Sequence, residues 1–424
     1  MGRQLSLFDD TLEDEFQSLM RHIPSAEADY ASHGLHAYPA KFLPHYPGVF
    51  IRHFSKEGDL VLDPMCGAGT TVIEACLQDR RAYGLDIDPI AALTARVSTT
   101  PIPEQDLRAF ENRVFDEIRI RLSEGCASRV ELPSEQEFPN IDIWFREPVL
   151  RELLVARDVI LDSGASEALV DFGLVCLSSI VKPVSNADPR DIFPERDLDN
   201  PVRERKDVVT ELRKAFHDNR VRLIEFSHRV NWETRGKVRR GNATAMQLDD
   251  TSVDLIFTSP PYAYAMDYAR VHKLSTLLIV MSNEEFLEYR RQYVGTDRVS
   301  VKHPLESFEG FEFAEDQIRR VHADRRKLGV ILHRYFSDLY QITRECNRVL
   351  KPGGHLIYVI GNSTVRGTTF RTDQVLAGIC EGVGLRTKRR LERPYYAYRM
   401  ARKRNVQSNT IKADIFLVTG KTES

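Results

Sequence analysis

The stretch "DLVLDPMCGAGTTVIEACLQ", residues 59–78, decides the fold. It reads as a strand ending at Asp63, a glycine-rich turn, and a helix. Gly67 and Gly69 let backbone N–H groups come close to a ligand, and the N-terminus of the following helix favours an anion there. Pro64, Cys66 and Thr70 complete the turn. A dinucleotide site would want a third glycine at Val72, and none is there. Asp63, at the strand end, is placed to meet a positive charge.

The next stretch, "RAYGLDIDPIAALTARV" (81–97), repeats the pattern. Its strand ends near Asp86, 23 residues beyond Asp63, where a carboxylate suits ribose hydroxyls. A ligand that combines an ammonium, a carboxylate and a ribose is S-adenosyl-L-methionine.

From about 101 the pattern changes. "EQDLRAFENRVFDEIRIRL", "PVLRELLVARDVILDS", "EALVDFGLVCLSSIV" and "VVTELRKAFHDNRVRLIEFSHRV" carry the 3.6-residue period of helices, around a Pro- and Asp-rich loop, "KPVSNADPRDIFPERDLDNP". The α/β alternation resumes with "KVRRGNATAMQLDDTSVDLIFTSPPY". A charged, partly helical stretch follows at about 282–335. Then come a helix, a Lys-Pro-Gly-Gly turn and a strand in "FSDLYQITRECNRVLKPGGHLIYVIGNS", and two closing strands in "GLRTKRRLERP" and "ADIFLVTGK". Alternating strands and helices predict an α/β fold with a largely parallel, doubly wound sheet and a helical insertion.

Composition sets outer bounds. Of 424 residues, 42% are hydrophobic and 29% charged, as in ordinary globular chains. No apolar run approaches the roughly 20 residues that span a bilayer, and the N-terminus lacks a signal-peptide pattern. The six cysteines form no CxxC pair and no Cys/His cluster, which excludes a zinc-ribbon or disulfide reading and suits a reducing cytoplasm. A net charge of −3 does not advertise nucleic-acid binding. Locally the picture differs: residues 386–404 hold nine basic residues against Glu392 alone, with Tyr395, Tyr396 and Tyr398 among them. Such a run is either a solvated face or an edge that contacts phosphates through Arg389, Arg390 and Arg393.

"FTSPPYAYAMDY" (257–268) places two prolines at the end of the strand "VDLIF". Proline cannot donate to a sheet ladder, so Pro260 and Pro261 force the chain out at the edge where open α/β sheets bind ligands. Exocyclic amino groups of cytosine and adenine are poor nucleophiles, because the nitrogen lone pair is delocalised into the ring. A site that accepts their N–H bonds pulls the nitrogen toward a tetrahedral, more nucleophilic form. The rigid turn can supply the Pro260 carbonyl and Ser259 Oγ as acceptors, while Tyr262 can stack on a base swung out of the duplex.

"TSPPY" together with "DPMCGAGTT" resembles the site-specific DNA amino-methyltransferases, which modify cytosine N4 or adenine N6. "HAYPAKFLP" (36–44) resembles the segment that precedes the cofactor strand in that family and lines the methionine end of the site. The resemblance covers about 35–100 and 238–420. It implies a Rossmann-like class I methyltransferase fold with a seven-stranded sheet, formed by a catalytic domain (31–100 and 238–424). The helical insertion (101–237), read from its period, falls outside the resemblance; target recognition could sit there or in the basic segment 282–335, which is the favoured candidate. The resemblance implies catalytic roles for Ser259, Pro260, Pro261 and Tyr262. It further implies S-adenosyl-L-methionine binding by Tyr38, Ala40, Phe42, Asp63, Pro64, Cys66, Gly67, Gly69, Thr70, Asp86, Asn242 and Thr258. Asn242, in "GNATAM", stands where the family usually has an acidic residue against the cofactor adenine.

Serine at the head of the tetrapeptide resembles the cytosine-N4 branch, whereas adenine-N6 enzymes more often carry Asp or Asn. A non-catalytic DNA-binding protein on the same scaffold is the alternative of another class. Carbon-5 chemistry needs a Pro-Cys nucleophile, which the chain lacks. Double-stranded DNA is the implied partner, with a cognate restriction endonuclease as a second and a cytoplasmic, nucleoid-associated location. Arg290, Arg291 and Arg298 are the expected DNA contacts in the recognition segment. The tail 1–30 carries "QLSLF" (4–8), which resembles the pentapeptide that docks DNA-handling proteins on the bacterial sliding clamp; Gln4 would enter one subpocket and Leu7 and Phe8 the other. The same residues could instead staple the tail to the protein's own surface.

Overall fold

The computed structural model describes residues 11–18, 28–38, 41–196, 206–234, 236–263, 268–365, 367–394 and 413–422. The clamp-like pentapeptide, Ala40 and the tyrosine-bearing part of the basic run lie outside these residues.

A seven-stranded sheet organises the molecule. In chain order its strands are β1 (Leu60–Asp63), β2 (Arg81–Asp86), β3 (Lys237–Arg240), β4 (Val253–Thr258) and β5 (Leu350–Ile360). A separate hairpin of β6 (Ser363–Val365) and β7 (Thr368–Phe370) precedes β8 (Leu385–Pro394) and β9 (Ala413–Lys421). The order across the sheet is β3-β2-β1-β4-β5-β9-β8. Pairings from β3 to β5 are parallel, and β9 runs antiparallel to both neighbours. The chain winds outward from β1 to β3, then returns to β4. That reversal leaves a crevice at the carboxyl ends of β1 and β4.

Local chemistry explains the elements beside the crevice. From Leu255 to Thr258 every residue of β4 is buried, as a strand covered on both faces requires. Gly69 caps the helix Thr70–Leu77 at φ 93°, and a Cβ there would sit 3.0 Å from the Cβ of Ala95, so glycine lets two helices touch. That neighbour, Pro89–Ser98, starts with Asp88 accepting from the N–H groups of Ile90 and Ala91 and with proline at its first position.

One expectation is corrected. The Lys-Pro-Gly-Gly turn does not precede β5 but lies within it: Leu350 pairs with Val253 and His355 with Leu255, so residues 351–354 bulge from the ladder.

The insertion contains the helices Glu104–Ser123, Glu147–Leu161, Glu167–Val184 and Val208–Arg229. Phe216 centres their packing, its ring 6.1, 5.2 and 5.4 Å from those of Phe110, Phe115 and Phe172. This apolar cluster runs on without a break into one face of the sheet. Helices Arg326–Val349 and Thr372–Gly382 cover the other face. Among the described residues, no helix is long and apolar enough to cross a membrane.

On the insertion's side of the sheet, Phe416 of β9 is fully buried, its ring 5.2 Å from Phe50 and 5.1 Å from both Phe16 and Tyr46. Phe416→Ala is expected to cost about 3–5 kcal/mol. Denaturant unfolding would show this as a lower midpoint at an unchanged slope; an unshifted midpoint would contradict the packing described.

Candidate active site

Two adjacent strand ends build the site. Thr258 Oγ1, at the end of β4, donates to Asp63 Oδ1, at the end of β1, over 2.7 Å, and the Met65 N–H donates to the same oxygen. Both partners are at most 1% exposed. Burial pushes the Asp63 carboxyl up to about 6 against the pull of these hydrogen bonds. Asp63 was expected to face a ligand's positive charge. In the structure Asp63 and Thr258 pair with each other beside the crevice-lining residues and brace the loop. Gly69 is likewise committed to helix packing.

The crevice itself is lined by Tyr38, Phe42, Pro64, Cys66, Gly67, Thr70, Asp86 and Asn242 on one side and by Ser259, Pro260, Pro261 and Tyr262 on the other. Thus most of the residues picked out from two distant motifs share one cavity. Gly67 has φ +52°, and a Cβ there would come within 3.2 Å of the Tyr38 ring. Its bare backbone therefore keeps the floor open, which fits a flat or slender ligand group. Its N–H donates to Asp86 Oδ2 over 2.8 Å, and the Asp88 N–H donates to Asp86 Oδ1 over 2.9 Å. Asn242 Oδ1 accepts from the backbone N–H and the hydroxyl of Thr244, which fixes the side chain at the crevice rim. Ser259 Oγ donates to the Val359 carbonyl over 2.9 Å. With its hydrogen spent there, the oxygen is left as an acceptor.

Several residues were missed at the sequence level. Ile87, Asp88, Tyr268, Tyr289 and Tyr293 also line the crevice. Behind them Asp88 Oδ2 accepts from His272 Nδ1 and from the Tyr289 hydroxyl. Burial works against ionisation of Asp88, but the facing His272 and these hydrogen bonds together hold its carboxyl below the usual range. The Tyr38 ring lies 5.0 Å from that of His272 and stacks on Tyr268 at 6.5 Å. His36 donates from Nδ1 to the Ala37 carbonyl and accepts at Nε2 from Ser178 of the insertion. Burial holds its imidazole neutral, with a pKa near 3.

The expected DNA contacts fare unevenly. Arg290 is corrected: its side chain is only 13% exposed, packs over the Phe286 ring and pairs with Asp297, so it faces inward. Arg291 and Arg298 are exposed, beside Glu288 and Asp297 respectively. On β8, Arg390 pairs with Asp373 and Glu392, and Arg393 lies over the Tyr46 ring, while Arg389 is half-buried. A phosphate would have to displace protein partners of Arg390 and Arg393. Their strand does end at the same edge as β5, since both Glu392 and Ile360 pair with Ile415.

Residues 14–95 match the model of a DNA methylase family, the N6/N4 methyltransferases. The chain is 24% identical to the Type II methyltransferase M.MvaI of Kocuria varians, over 82% of this chain and 80% of that protein. It is 21% identical to the Type II methyltransferase M.AvaI of a Nostoc species, over 92% and 89%. A solved S-adenosylmethionine-dependent methyltransferase from Methanosarcina mazei aligns over 92% of this chain and 100% of its own at 11% identity, with a TM-score of 0.32. At that score the fold rests on the strand order above.

Asp86 gives the site a pH signature. Burial first, then the neighbouring Asp88 charge, push its carboxyl up to about 7. An unfolded aspartate titrates near about 3.9. Between roughly pH 4 and 7 the folded chain therefore holds a proton that the unfolded chain has released, and this group's contribution to stability falls as pH rises. Asp86→Asn removes that contribution. The unfolding midpoint should drop more steeply from pH 5 to 7.5 in the ligand-free wild type than in the variant; parallel profiles would contradict the assignment.

Proposed function

We propose that this chain, which belongs to the N6/N4 DNA methylases, transfers a methyl group to the exocyclic N4 amino group of cytosine in DNA. Its cofactor is S-adenosyl-L-methionine, which supplies an electrophilic methyl group on a sulfonium. In this reading Tyr38, Phe42, Gly67, Asp86 and Asn242 hold the cofactor, and Ser259 to Tyr262 hold the base.

The observation that carries amino-group methylation is the state of Ser259, and serine rather than Asp or Asn at the head of the tetrapeptide is what favours cytosine. The Ser259 hydroxyl hydrogen is committed to Val359, which leaves the oxygen of this crevice-lining residue as an acceptor for a substrate N–H. With the Pro260 carbonyl as a second acceptor, both hydrogens of an amino group are met. The nitrogen lone pair is then drawn out of conjugation, and the nitrogen can attack. With the cofactor bound, the N–C bond would form as the sulfonium's S–CH3 bond broke, the electron pair staying on sulfur as a thioether, and the proton shed by nitrogen would pass by way of the facing acceptors to solvent. Tyr262 offers a face for the extruded ring. Most of the rate gain comes from holding the reactants in line, for which up to about 7–11 kcal/mol is available.

Nucleoside analysis of DNA after incubation with enzyme and cofactor is expected to show N4-methylcytosine; N6-methyladenine, or no modified base, would overturn the reading. Ser259→Ala should lower kcat about 100-fold, as loss of one preorganised hydrogen bond does. Tyr262→Ala should weaken capture of the base by about 1–3 kcal/mol.

Arg291 and Arg298 are proposed as phosphate contacts. Replacing each with Ala should reduce the slope of log K against log salt by about 0.9. Arg290→Ala should leave the slope unchanged and lower stability instead. Equal slopes in all three variants would remove this surface from the interface.

A further inference from the structure

Asp88 does more than a helix cap requires. An N-cap needs one side-chain oxygen, and Oδ1 already serves, accepting from Ile90 N at 2.8 Å and Ala91 N at 3.0 Å. The second oxygen, Oδ2, accepts from His272 Nδ1 at 3.3 Å and from Tyr289 Oη at 3.1 Å. Asp88, His272 and Tyr289 are all buried. On its other side, the Asp88 N–H holds Asp86 Oδ1, whose partner oxygen holds the N–H of Gly67. An unbroken chain of hydrogen bonds thus runs from the glycine loop, through two carboxylates, into the segment that follows the Ser259–Tyr262 turn.

That segment rests on side-chain packing, with Leu274, Leu277, Phe286 and Tyr289 in the same apolar cluster as the insertion. It belongs to no sheet; it contains the short helices Tyr268–Val271 and Lys273–Ser275, a π-helical turn at Thr276–Val280, and the helix Asn283–Gln292. π-Turns are often found at functional sites. Ser275 and Leu278 are tied to the insertion, through the Ser178 carbonyl and the Arg157 guanidinium. Tyr268, Tyr289 and Tyr293 line the crevice from this side.

We infer that Asp88 is a positioning residue that couples the two halves of the site: occupancy of the glycine loop orders residues 268–294 through Asp88, His272 and Tyr289. The inference rests on the cofactor reading given above. In physical terms, a ligand against Gly67 and Asp86 fixes the Asp88 backbone, and Asp88 then presents Oδ2 to both donors at one geometry. The target-side wall is thereby assembled when cofactor is in place, and by linkage an ordered wall raises affinity for the cofactor by the same factor.

The test is hydrogen–deuterium exchange of the full chain with and without S-adenosylhomocysteine. In the wild type, the ligand should slow exchange of amides in 64–70 and also, about tenfold, in 283–292, within the range of site-to-site coupling. Asp88→Asn keeps the capping oxygen but puts an NH₂ where two donors point. In that variant 64–70 should still be protected, while the ligand-induced change in 283–292 falls below about twofold. Tyr289→Phe removes one donor, leaves the cap intact and should show the same loss in weaker form, which keeps the test decisive if Asp88→Asn does not fold. Undiminished protection of 283–292 in both variants would overturn the inference, as would its absence in the wild type when 64–70 is protected. A wild type protected nowhere would overturn the cofactor reading itself, and the coupling with it.

Discussion

The hydrogen bond from Thr258 to Asp63 is the constraint on which the site depends. β1 and β4 share only two register pairs, Val61 with Leu255 and Leu62 with Ile256. Past these pairs the strands part, and a buried side-chain contact takes over from the ladder. The glycine loop leaves from Asp63 and the Ser-Pro-Pro-Tyr turn from Thr258, so this contact, with Thr71 Oγ1 donating to the Phe257 carbonyl beside it, sets their separation. Moving the two ends apart would strand the buried Thr258 hydroxyl, at a cost of about 1–3 kcal/mol.

Charge follows from the same crowding. Three aspartates, Asp63, Asp86 and Asp88, gather at the ends of β1 and β2. Burial lifts the carboxyls of Asp63 and Asp86, whereas Asp88 stays ionised because His272 and Tyr289 face it. The crevice therefore sets the Asp88 charge and the Asp86 carboxyl against aromatic rings, an environment that suits a cation carried on a flat, hydroxyl-bearing group. The helical insertion adds to this from outside the sheet. Ser178 steadies His36 just before Tyr38, and the Ser178 carbonyl also receives Ser275. The insertion therefore supports the crevice wall from behind.

Sequence alone made the frame legible because its signals are local. A strand, two glycines and a helix over 59–78 name a parallel α/β unit, and Pro260–Pro261 can only sit where a strand ends. The insertion helices were legible from their period alone. What stayed hidden depends on contacts between distant segments. Tyr289 and Tyr293 stand four apart on a charged stretch, where their spacing equally suits ordinary helix packing. Asp88 looks like a plain N-cap in "DIDP", and nothing local shows that its second oxygen meets His272, 184 positions away. For Asp63 likewise, position at a strand end was legible, but not that Thr258 would donate to its oxygen. Arg290 was misjudged because charge in a helix suggests solvent, whereas its stem packs over Phe286.

A direct test of the central claim, that these two strand ends frame one pocket for cofactor and base, is photo-crosslinking with methyl-labelled S-adenosylmethionine followed by peptide mapping. Label is expected on peptides that contain Tyr38, Pro64–Thr70 or Ser259–Tyr262. Label confined to another surface, such as the polar groove beside Tyr340, Arg344 and Arg348, would contradict it.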